Sequence, residues 1–361
     1  MYNSPPRKIL LNPGPVTTTQ TVKNALIVPD ISHREEEFGH LIQEVRKGLT
    51  DIVHADEQYS SVLFGSSGTG ALEAVITSAI PYGKKILVVN NGSYGERIIN
   101  VAKIYHIEYV ELYSEFNQLP DLNQIETHLQ NDPDIHAVAV VHHETSWGLL
   151  NPVEFIGTLT RRYSRLLIVD AISSYAGIPI NMQTSSIDLL LGTANKCLQG
   201  MPGVSFVIGT KEALQACSSI KRSFYFDLYS QYMALEKEHL FSFTAPVQIV
   251  YALKQAIIEY FDESETARYA RYKENFMALT KGLMDLDFTF PVAEKNRSYL
   301  LLLACYTKPF DFKKVHDQLY QEGYTIYPGK LALPNAMCVA CIGDLNLDDI
   351  KKFLSHLEAI L

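Results

Sequence analysis

The sequence has no excess of basic residues. Its 31 lysines and arginines stand against 40 aspartates and glutamates, which gives a formal net charge of −9. A surface that binds nucleic acid or anionic lipid needs clustered positive charge. We therefore expect neither nucleic acid nor a membrane as a partner, and small soluble molecules remain as candidate ligands.

The sequence also lacks a long apolar run and a regular set of cysteines. Its first residues, "MYNSPPRKILLNPGPV", place two prolines before only a short apolar run, which is typical of neither a secretory signal nor a membrane-spanning helix. The five cysteines are odd in number and lie between Cys197 and Cys341, so they do not indicate a disulfide framework. Both features predict a cytoplasmic protein.

Only one cysteine spacing, the C-x-x-C of Cys338 and Cys341, is of a kind used for metal or redox chemistry. A zinc site needs four ligands, and the sequence offers neither a second cysteine pair nor a nearby histidine cluster. A redox pair ordinarily begins a helix in a thioredoxin-like unit. We therefore interpret the pair as part of a core strand and expect no metal.

Short apolar runs alternate with helical patterns over the first two-thirds of the chain. The runs are "SSVLFG", "KKILVVN", "HAVAVVHH", "LLIVDA", "IDLLLGTA" and "VSFVIG". Such runs, separated by helices, predict an α/β fold with a mainly parallel central sheet of about six or seven strands, buried on both faces. A long helical pattern begins near residue 246, and an α+β pattern follows it, which predicts a second, smaller lobe.

The stretch "GSSGTG", residues 65–70, follows the first apolar run and leads into a helix. Glycines let the backbone approach an anion, and the free N–H groups at a helix start favour a phosphate. The stretch is not a Walker A loop, because Ala71 and Leu72 stand where that motif needs lysine and a hydroxyl residue, and it lacks the dinucleotide spacing. It predicts either a phosphate site or a plain strand-to-helix turn.

Three further side chains follow predicted strands, at the edge where ligands of open α/β sheets lie. Tyr94 in "NNGSYGER" could stack on a flat ring or pack in the core. Asp170 ends "LLIVD" and could be a helix cap or turn residue. Lys196 in "TANKCLQG" ends a later strand, and a buried lysine is rare unless it is paired or functional. Burial makes such an amine nucleophilic enough to bond to an aldehyde.

An acid, an amine, an aromatic ring and a phosphate-binding helix start are together what pyridoxal 5′-phosphate requires of a protein. Each feature is weak alone, but the ordered set predicts a site for this cofactor. A nucleotide-binding or purely structural α/β protein would leave Asp170 and Lys196 without a common explanation.

With these residues in place, the chain resembles the fold-type I, class V aminotransferases, and among them the 2-aminoethylphosphonate:pyruvate aminotransferases. The likeness spans nearly the whole chain through, in order, "LLNPGPVTT", "GSSGTGALEA", "NNGSYGERI", "HHETSWGLLNPVE", "IVDAISSYAGIPI", "ANKCLQGMPG", "FDLY", "FTAP" and "YPGK". It implies a fold-type I architecture with a large cofactor-binding domain at residues 16–262. A smaller α+β domain would comprise residues 1–15 and 263–361.

The resemblance further implies an activity and a set of site residues. The enzyme would move the amino group of 2-aminoethylphosphonate to pyruvate, and it would be a homodimer with active sites shared between subunits. Lys196 would bond to the cofactor aldehyde, Asp170 would hold the pyridine nitrogen protonated, and Tyr94 would stack on the ring. The other cofactor contacts would be Ser67, Gly68 and Thr69 at the phosphate, Thr145 of "HHET" near the ring oxygen, and Thr244 of "FTAP" at the phosphate of the neighbouring subunit's cofactor.

One departure from the family concerns the substrate anion. The family has an arginine in a stretch resembling "FRIGNIGD", whereas this chain reads "MCVACIGD", with Cys338 at the arginine's position. A thiol cannot replace a bidentate guanidinium, and loss of one charge-assisted contact costs about 1.5 to 3 kcal/mol.

Two explanations of this departure stay open. Another cation could bind the anion, with Arg34 in "SHREEEF" ahead of Lys330 in "YPGK" and Arg297 in "EKNRSY", although Arg34 could equally be an ion-paired residue at a helix start. Alternatively, the protein could be a class V enzyme for another amine or amino acid, acting as an alanine, serine or phosphoserine transaminase or as a lyase or decarboxylase.

Overall fold

A computed structural model describes residues 6–115, 117–329, 333 and 335–361. Its strands are β1 (Ile9–Leu10), β2 (Tyr59–Phe64), β3 (Lys85–Asn90), β4 (Glu108–Tyr113), β5 (Ile135–Val141), β6 (His143–Glu144), β7 (Leu149–Leu150), β8 (Leu166–Asp170), β9 (Leu189–Thr193), β10 (Ser205–Thr210), β11 (Phe288–Thr289), β12 (Leu301–Tyr306), β13 (Tyr324–Thr325), β14 (Tyr327–Pro328) and β15 (Ala336–Ala340). Its α-helices are α1 (Gln20–Asn24), α2 (Glu36–Ile52), α3 (Gly68–Ala79), α4 (Ser93–Ile104), α5 (Leu122–Asn131), α6 (Val153–Arg162), α7 (Lys211–Ala216), α8 (Leu228–Lys237), α9 (Val247–Glu263), α10 (Glu265–Asp285), α11 (Phe312–Gln321) and α12 (Leu347–Ile360).

The central sheet has seven strands in the order β2-β10-β9-β8-β5-β3-β4. Strand β10 is antiparallel to both β2 and β9, and the other described pairings of this sheet are parallel. The prediction of a mainly parallel α/β sheet flanked by helices is therefore confirmed, with β10 as the exception. The apolar run of β10 could not reveal its direction, because either direction buries both faces equally.

The strands in the middle of this sheet are buried along their whole length, as their apolar runs predict. Every residue of β9 is buried, and so are all residues of β8 and β5 except the first or second. Strand β4 at the edge is different, because most of its residues are at least partly exposed. Its sequence "EYVELY" carries two glutamates, so the search for apolar runs missed it.

A second, mostly separate core lies around the four-stranded sheet β11-β12-β15-β14. It includes Ile9 and Leu11 from the start of the chain together with Leu302, Met337 and Phe353, and β1 pairs with β13. This distribution supports the division into residues 16–262 and residues 1–15 with 263–361, which stays a prediction.

The expectation of one long helix from residue 246 is wrong in detail. Helix α9 ends at Glu263 and α10 begins at Glu265, because Ser264 between them has a φ of +72° and its hydroxyl accepts a hydrogen bond from the Ala267 N–H at 3.3 Å. None of the described helices has the length and apolar character needed to cross a bilayer.

Candidate active site

The predicted cofactor residues gather at the carboxyl edge of the central sheet. Six strands of this sheet run in the same direction, and five of them are followed or ended by a predicted cofactor residue. The five are Ser67 after β2, Tyr94 after β3, Thr145 after β5, Asp170 at the end of β8 and Lys196 after β9. These residues are far apart in the sequence, but the sheet topology brings them to the same edge of the sheet.

Lys196 is half-buried and lies against the first residues of the chain. Its Nζ donates a hydrogen bond to the carbonyl oxygen of Pro13. A Cβ on Gly14 would lie 2.5 Å from both Cδ and Nζ of Lys196, and Gly14 has a φ of +131° that side chains rarely allow. Only glycine therefore fits at position 14 beside the lysine. Sequence reasoning missed this contact, although the "NPGP" motif marked an unusual backbone.

Asp170 is a nearly buried acid, with 4% of its surface exposed. Its Oδ1 accepts a hydrogen bond from the Ile172 N–H at 2.9 Å. Burial raises the pKa of Asp170 to about 6, and the Glu144 carboxylate adds to this effect, whereas the charges of Arg97 and Lys196 oppose it. A positively charged group beside Asp170 would lower the free energy needed to ionise this buried carboxyl.

The loop at residues 65–70 packs tightly enough to need its glycines. A Cβ on Gly68 would lie 2.9 Å from Cδ1 of Ile172, and one on Gly70 would lie 2.3 Å from the Ser66 hydroxyl. Ser67 is exposed and stands at the N-cap of α3, but its side chain makes no capping hydrogen bond. Because the first N–H groups of an α-helix have no partner within the helix, the start of this 12-residue helix beside the exposed Ser67 is suited to an anion.

Tyr94 lies in the first turn of α4 and is partly buried. The guanidinium carbon of Arg97 lies 4.7 Å from the centre of the Tyr94 ring. Arg97 also donates from Nη1 to the Thr69 hydroxyl at 3.4 Å, which connects the tyrosine with the loop after β2. Sequence reasoning did not find Arg97, although its spacing of three residues from Tyr94 on a helix was a usable signal.

Thr145 is buried, and its hydroxyl oxygen has no hydrogen-bond partner among the described residues. An unsatisfied buried hydroxyl costs about 1 to 3 kcal/mol, so a native protein usually supplies a partner from a ligand or a water molecule. This orphaned hydroxyl fits a cofactor that presents a ring oxygen. With the lysine, the buried acid, the aromatic ring and the helix start, the residues present fit pyridoxal 5′-phosphate.

The histidines before Thr145 are buried, and one ring nitrogen of each lies beside a serine hydroxyl, whereas Nδ1 of His143 has no hydrogen-bond partner among the described residues. His142 Nδ1 lies 2.9 Å from the Ser174 hydroxyl, and His143 Nε2 lies 2.8 Å from the Ser298 hydroxyl. Burial lowers the pKa of His142 to about 4 and that of His143 to about 3. Both rings are thus neutral at neutral pH, as expected of histidines that stabilise the fold and do not transfer protons.

Arg34, predicted for the substrate anion, and Thr244, predicted for the neighbouring subunit's cofactor, lie at the surface. Arg34 is exposed, and its Nη1 donates to the carbonyl oxygen of Phe241 at 3.3 Å. Thr244 in the same loop is also exposed. This loop lies close to the loop at residues 65–70 of the same chain, because a Cβ on Gly65 would lie 3.2 Å from Cδ of Pro246.

Cys338 lies in the middle of the smaller four-stranded sheet. It is 6% exposed and stands in β15 opposite Leu303 of β12 and Tyr327 of β14. This position belongs to the core strand predicted for the C-x-x-C spacing. Lys330, the other predicted substrate cation, lies outside the described residues.

Comparison with known proteins identifies relatives over the full chain. The model of the family "Aminotransferase class-V" matches residues 18–333. A 2-aminoethylphosphonate–pyruvate transaminase of Bacteroides fragilis (strain YCH46) is 37% identical over 350 residues, which cover 96% of this chain and 97% of that protein. An enzyme of the same name from Bacillus cereus (strain Q1) is 36% identical over 353 residues, covering 97% of this chain and 96% of that protein.

Solved structures share the same architecture. An alanine–glyoxylate aminotransferase from a Nostoc species has a TM-score of 0.91 and 25% identity, covering 100% of this chain and 97% of that chain. A pyridoxamine–pyruvate aminotransferase from Mesorhizobium loti has a TM-score of 0.89 and 22% identity, covering 99% and 92% of the two chains, and shows the fold alone. The chain therefore belongs to the class V aminotransferases, with the fold-type I architecture and pyridoxal 5′-phosphate as its cofactor.

Proposed function

We propose that this protein transfers the amino group of 2-aminoethylphosphonate to pyruvate, giving phosphonoacetaldehyde and alanine. One observation carries this proposal: relatives named for this reaction are 35% to 37% identical to the chain over nearly its full length and theirs.

Lys196 and Asp170 would be the catalytic residues. When bound, the cofactor supplies an electron sink for the substrate carbon that carries the amino group. Lys196 would hold the cofactor through its amine and, once released, would move a proton at that carbon. Asp170 would face the pyridine nitrogen and keep it protonated, and this positive partner would offset the cost of ionising a buried carboxyl.

The other predicted contacts would fix the orientation of the cofactor. Tyr94 would stack on its ring, and the Thr145 hydroxyl would find in the ring oxygen the hydrogen-bond partner that it otherwise lacks among the described residues. The phosphate would bind at the start of α3, to the backbone of Gly68 and the hydroxyls of Ser67 and Thr69.

A second copy of the chain would complete each site. Phe224 is 86% exposed, and Tyr225 stacks on Phe243 with 5.0 Å between ring centres, directly before the exposed Thr244. An aromatic surface of this kind is typical of a protein interface, which supports a homodimer in which Thr244 reaches the partner's cofactor phosphate. The cytoplasmic location stays a prediction.

The phosphonate needs a cation in place of the family arginine. We favour Arg34, because its side chain is exposed and lies beside the loop that carries Thr244. Lys330 stays a second candidate on sequence grounds. Cys338 lies between Leu303 and Tyr327 in the sheet, and its thiol cannot make the bidentate contact of a guanidinium.

Product analysis tests the proposed function. Purified protein, loaded with pyridoxal phosphate, is incubated with 2-aminoethylphosphonate and pyruvate, and NMR follows the formation of alanine. We expect alanine and phosphonoacetaldehyde in equal amounts, and neither product with the Lys196→Ala variant. If alanine, serine or phosphoserine serves as amino donor and the phosphonate does not, the proposal is wrong. The replacement of the family arginine by Cys338 then reflects a different substrate.

A further inference from the structure

Glu144 is a buried carboxylate for which the proposed chemistry has no use. It is fully buried, at 0% exposure, and directly precedes Thr145. A buried charge is costly unless hydrogen bonds satisfy it. The hydrogen bonds of its side chain go to two segments of the candidate active site.

One carboxylate oxygen of Glu144 holds the start of helix α4. Oε2 accepts from the backbone N–H of Tyr94 at 3.1 Å and from that of Gly95 at 3.3 Å. The N-cap of this helix is Gly92, which has no side chain to make these bonds. Since a helix start favours negative charge, Glu144 serves as the cap from a distant part of the chain.

The other carboxylate oxygen holds the turn around Thr145. Oε1 accepts from the Ser146 N–H at 3.2 Å and from the Ser146 hydroxyl. The same hydroxyl oxygen accepts from the Ser93 N–H at 3.2 Å. Thr145 thus lies between two residues that are both attached to the helix of Tyr94.

The chain leaves space for this carboxylate at Gly92. A Cβ there would lie 2.4 Å from both Cγ and Cδ of Glu144 and 2.6 Å from the Ser146 hydroxyl. The φ of Gly92 is 172°, an extended value that any residue adopts. The glycine is therefore required for its small size and not for its conformational freedom.

We propose that Glu144 is a positioning residue that fixes the Tyr94 ring and the Thr145 hydroxyl relative to each other in the cofactor pocket. The inference rests on the proposed roles of Tyr94 and Thr145 toward the cofactor. Glu144 acts through hydrogen bonds to the backbone of α4 and to Ser146, and it touches neither substrate nor cofactor itself.

An amide cannot replace this carboxylate. Both oxygens of Glu144 accept from N–H groups, whereas glutamine has one acceptor oxygen and an NH₂ group that would face a donor on one side. Glu144→Gln should therefore loosen either the start of α4 or the turn at Thr145, with little change in side-chain volume.

Cofactor affinity and melting temperature together test the proposal. The variants are Glu144→Gln, Ser146→Ala and Gly92→Ala, with Glu96→Gln as the control, because Glu96 is an exposed carboxylate in the first turn of the same helix. Cofactor-free protein is titrated with pyridoxal phosphate, and thermal unfolding is recorded with and without it.

We expect the Kd of Glu144→Gln for pyridoxal phosphate to rise about tenfold or more, with a smaller rise for Ser146→Ala and none for Glu96→Gln. The increase in melting temperature on adding the cofactor should shrink in the same order. If Glu144→Gln lowers both melting temperatures equally and leaves the Kd unchanged, Glu144 is only structural and the proposal is overturned.

The test remains informative if one variant does not fold, and its result is independent of the substrate. If Glu144→Gln does not fold, Ser146→Ala removes part of the same network more gently and Gly92→Ala displaces the carboxylate, and an unchanged Kd in either folded variant overturns the proposal. Cofactor affinity is measured without any amine, so this result is separate from the proposed function. If the wild-type protein does not use 2-aminoethylphosphonate, only the proposed function is overturned, and the proposed role of Glu144 is not.

Discussion

The amine of Lys196 donates a hydrogen bond to the carbonyl oxygen of Pro13, 183 positions earlier in the chain. The contact brings the start of the chain against the lysine proposed to bond to the cofactor. It also explains the glycine that follows Pro13, because a side chain on Gly14 would occupy the space of the lysine side chain.

We predict that Gly14→Ala reduces both stability and activity. The φ of +131° at this position costs a non-glycine residue about 1 to 3 kcal/mol, and the new methyl group displaces Lys196. The matched control is Gly83→Ala, where φ is +75° but no atom lies within 4 Å of the added Cβ. Urea unfolding should show a loss in both variants, whereas kcat should fall only in Gly14→Ala. Equal kcat values would contradict the account.

Lys196→Ala should lose at least about 100-fold in transamination rate, because the variant lacks the amine that moves the proton. Borohydride treatment of the loaded wild-type protein should add the mass of the cofactor to the intact chain, and the variant should show no such addition. Lys84→Ala is the control, since Lys84 is a partly exposed lysine that pairs with Asp134 at 2.7 Å. Covalent cofactor on the Lys196→Ala variant would contradict this assignment.

Asp170→Asn should weaken function and stabilise the cofactor-free protein. Burial raises the pKa of Asp170 from 3.8 in the unfolded chain to about 6, so the acid destabilises the native state as the pH rises from about 4 to about 6. A shift of this size corresponds to about 3 kcal/mol at neutral pH. Urea unfolding should therefore show a gain for the variant at pH 8 that vanishes at pH 4, while activity falls at least about 100-fold.

Asp188→Asn is the control for Asp170→Asn. Burial also raises the pKa of Asp188 to about 6, but this residue directly precedes β9 and therefore lies at the opposite edge of the sheet. Its Oδ2 accepts from the Leu167 N–H at 2.7 Å, which an amide oxygen can also do. The control should gain similar stability at pH 8 and keep full cofactor affinity. A loss of cofactor affinity in both variants would remove the special role of Asp170.

Arg34→Ala should raise the KM for 2-aminoethylphosphonate by one to two orders of magnitude, because a charge-assisted contact to an anion is worth about 1.5 to 3 kcal/mol. Arg34→Lys should restore part of the affinity. The control is Arg162→Ala, since Arg162 is an exposed arginine that pairs with Glu126 at 2.6 Å. An unchanged KM in Arg34→Ala would reject Arg34 as the substitute for the missing arginine and leave Lys330 to be tested.

Much of the fold follows from local sequence patterns. The apolar runs predict six strands of the central sheet, and the parallel topology then brings Asp170 and Lys196 to one edge. Strand β4 was missed because an edge strand exposes polar residues and has no apolar run. The break between α9 and α10 was missed because the helical apolar pattern continues through Ser264.

The parts of the site that could not be predicted depend on contacts between distant segments. The pairing of Lys196 with Pro13 joins two loops that no periodic pattern relates. Glu144 resembles any other polar residue after a strand, and only the folded chain shows its two oxygens bound to separate backbone segments. The resemblance to a known family predicts the cofactor residues, but it gives no substitute for the arginine that Cys338 replaces.

The most direct test of the account is the visible absorption spectrum of the protein loaded with pyridoxal phosphate. The spectrum is recorded before and after 2-aminoethylphosphonate is added without a keto acid, and again after pyruvate is added. We predict that the visible band of the bound cofactor disappears with the phosphonate and returns with pyruvate. A band that is present but unchanged by 2-aminoethylphosphonate would contradict the proposed substrate.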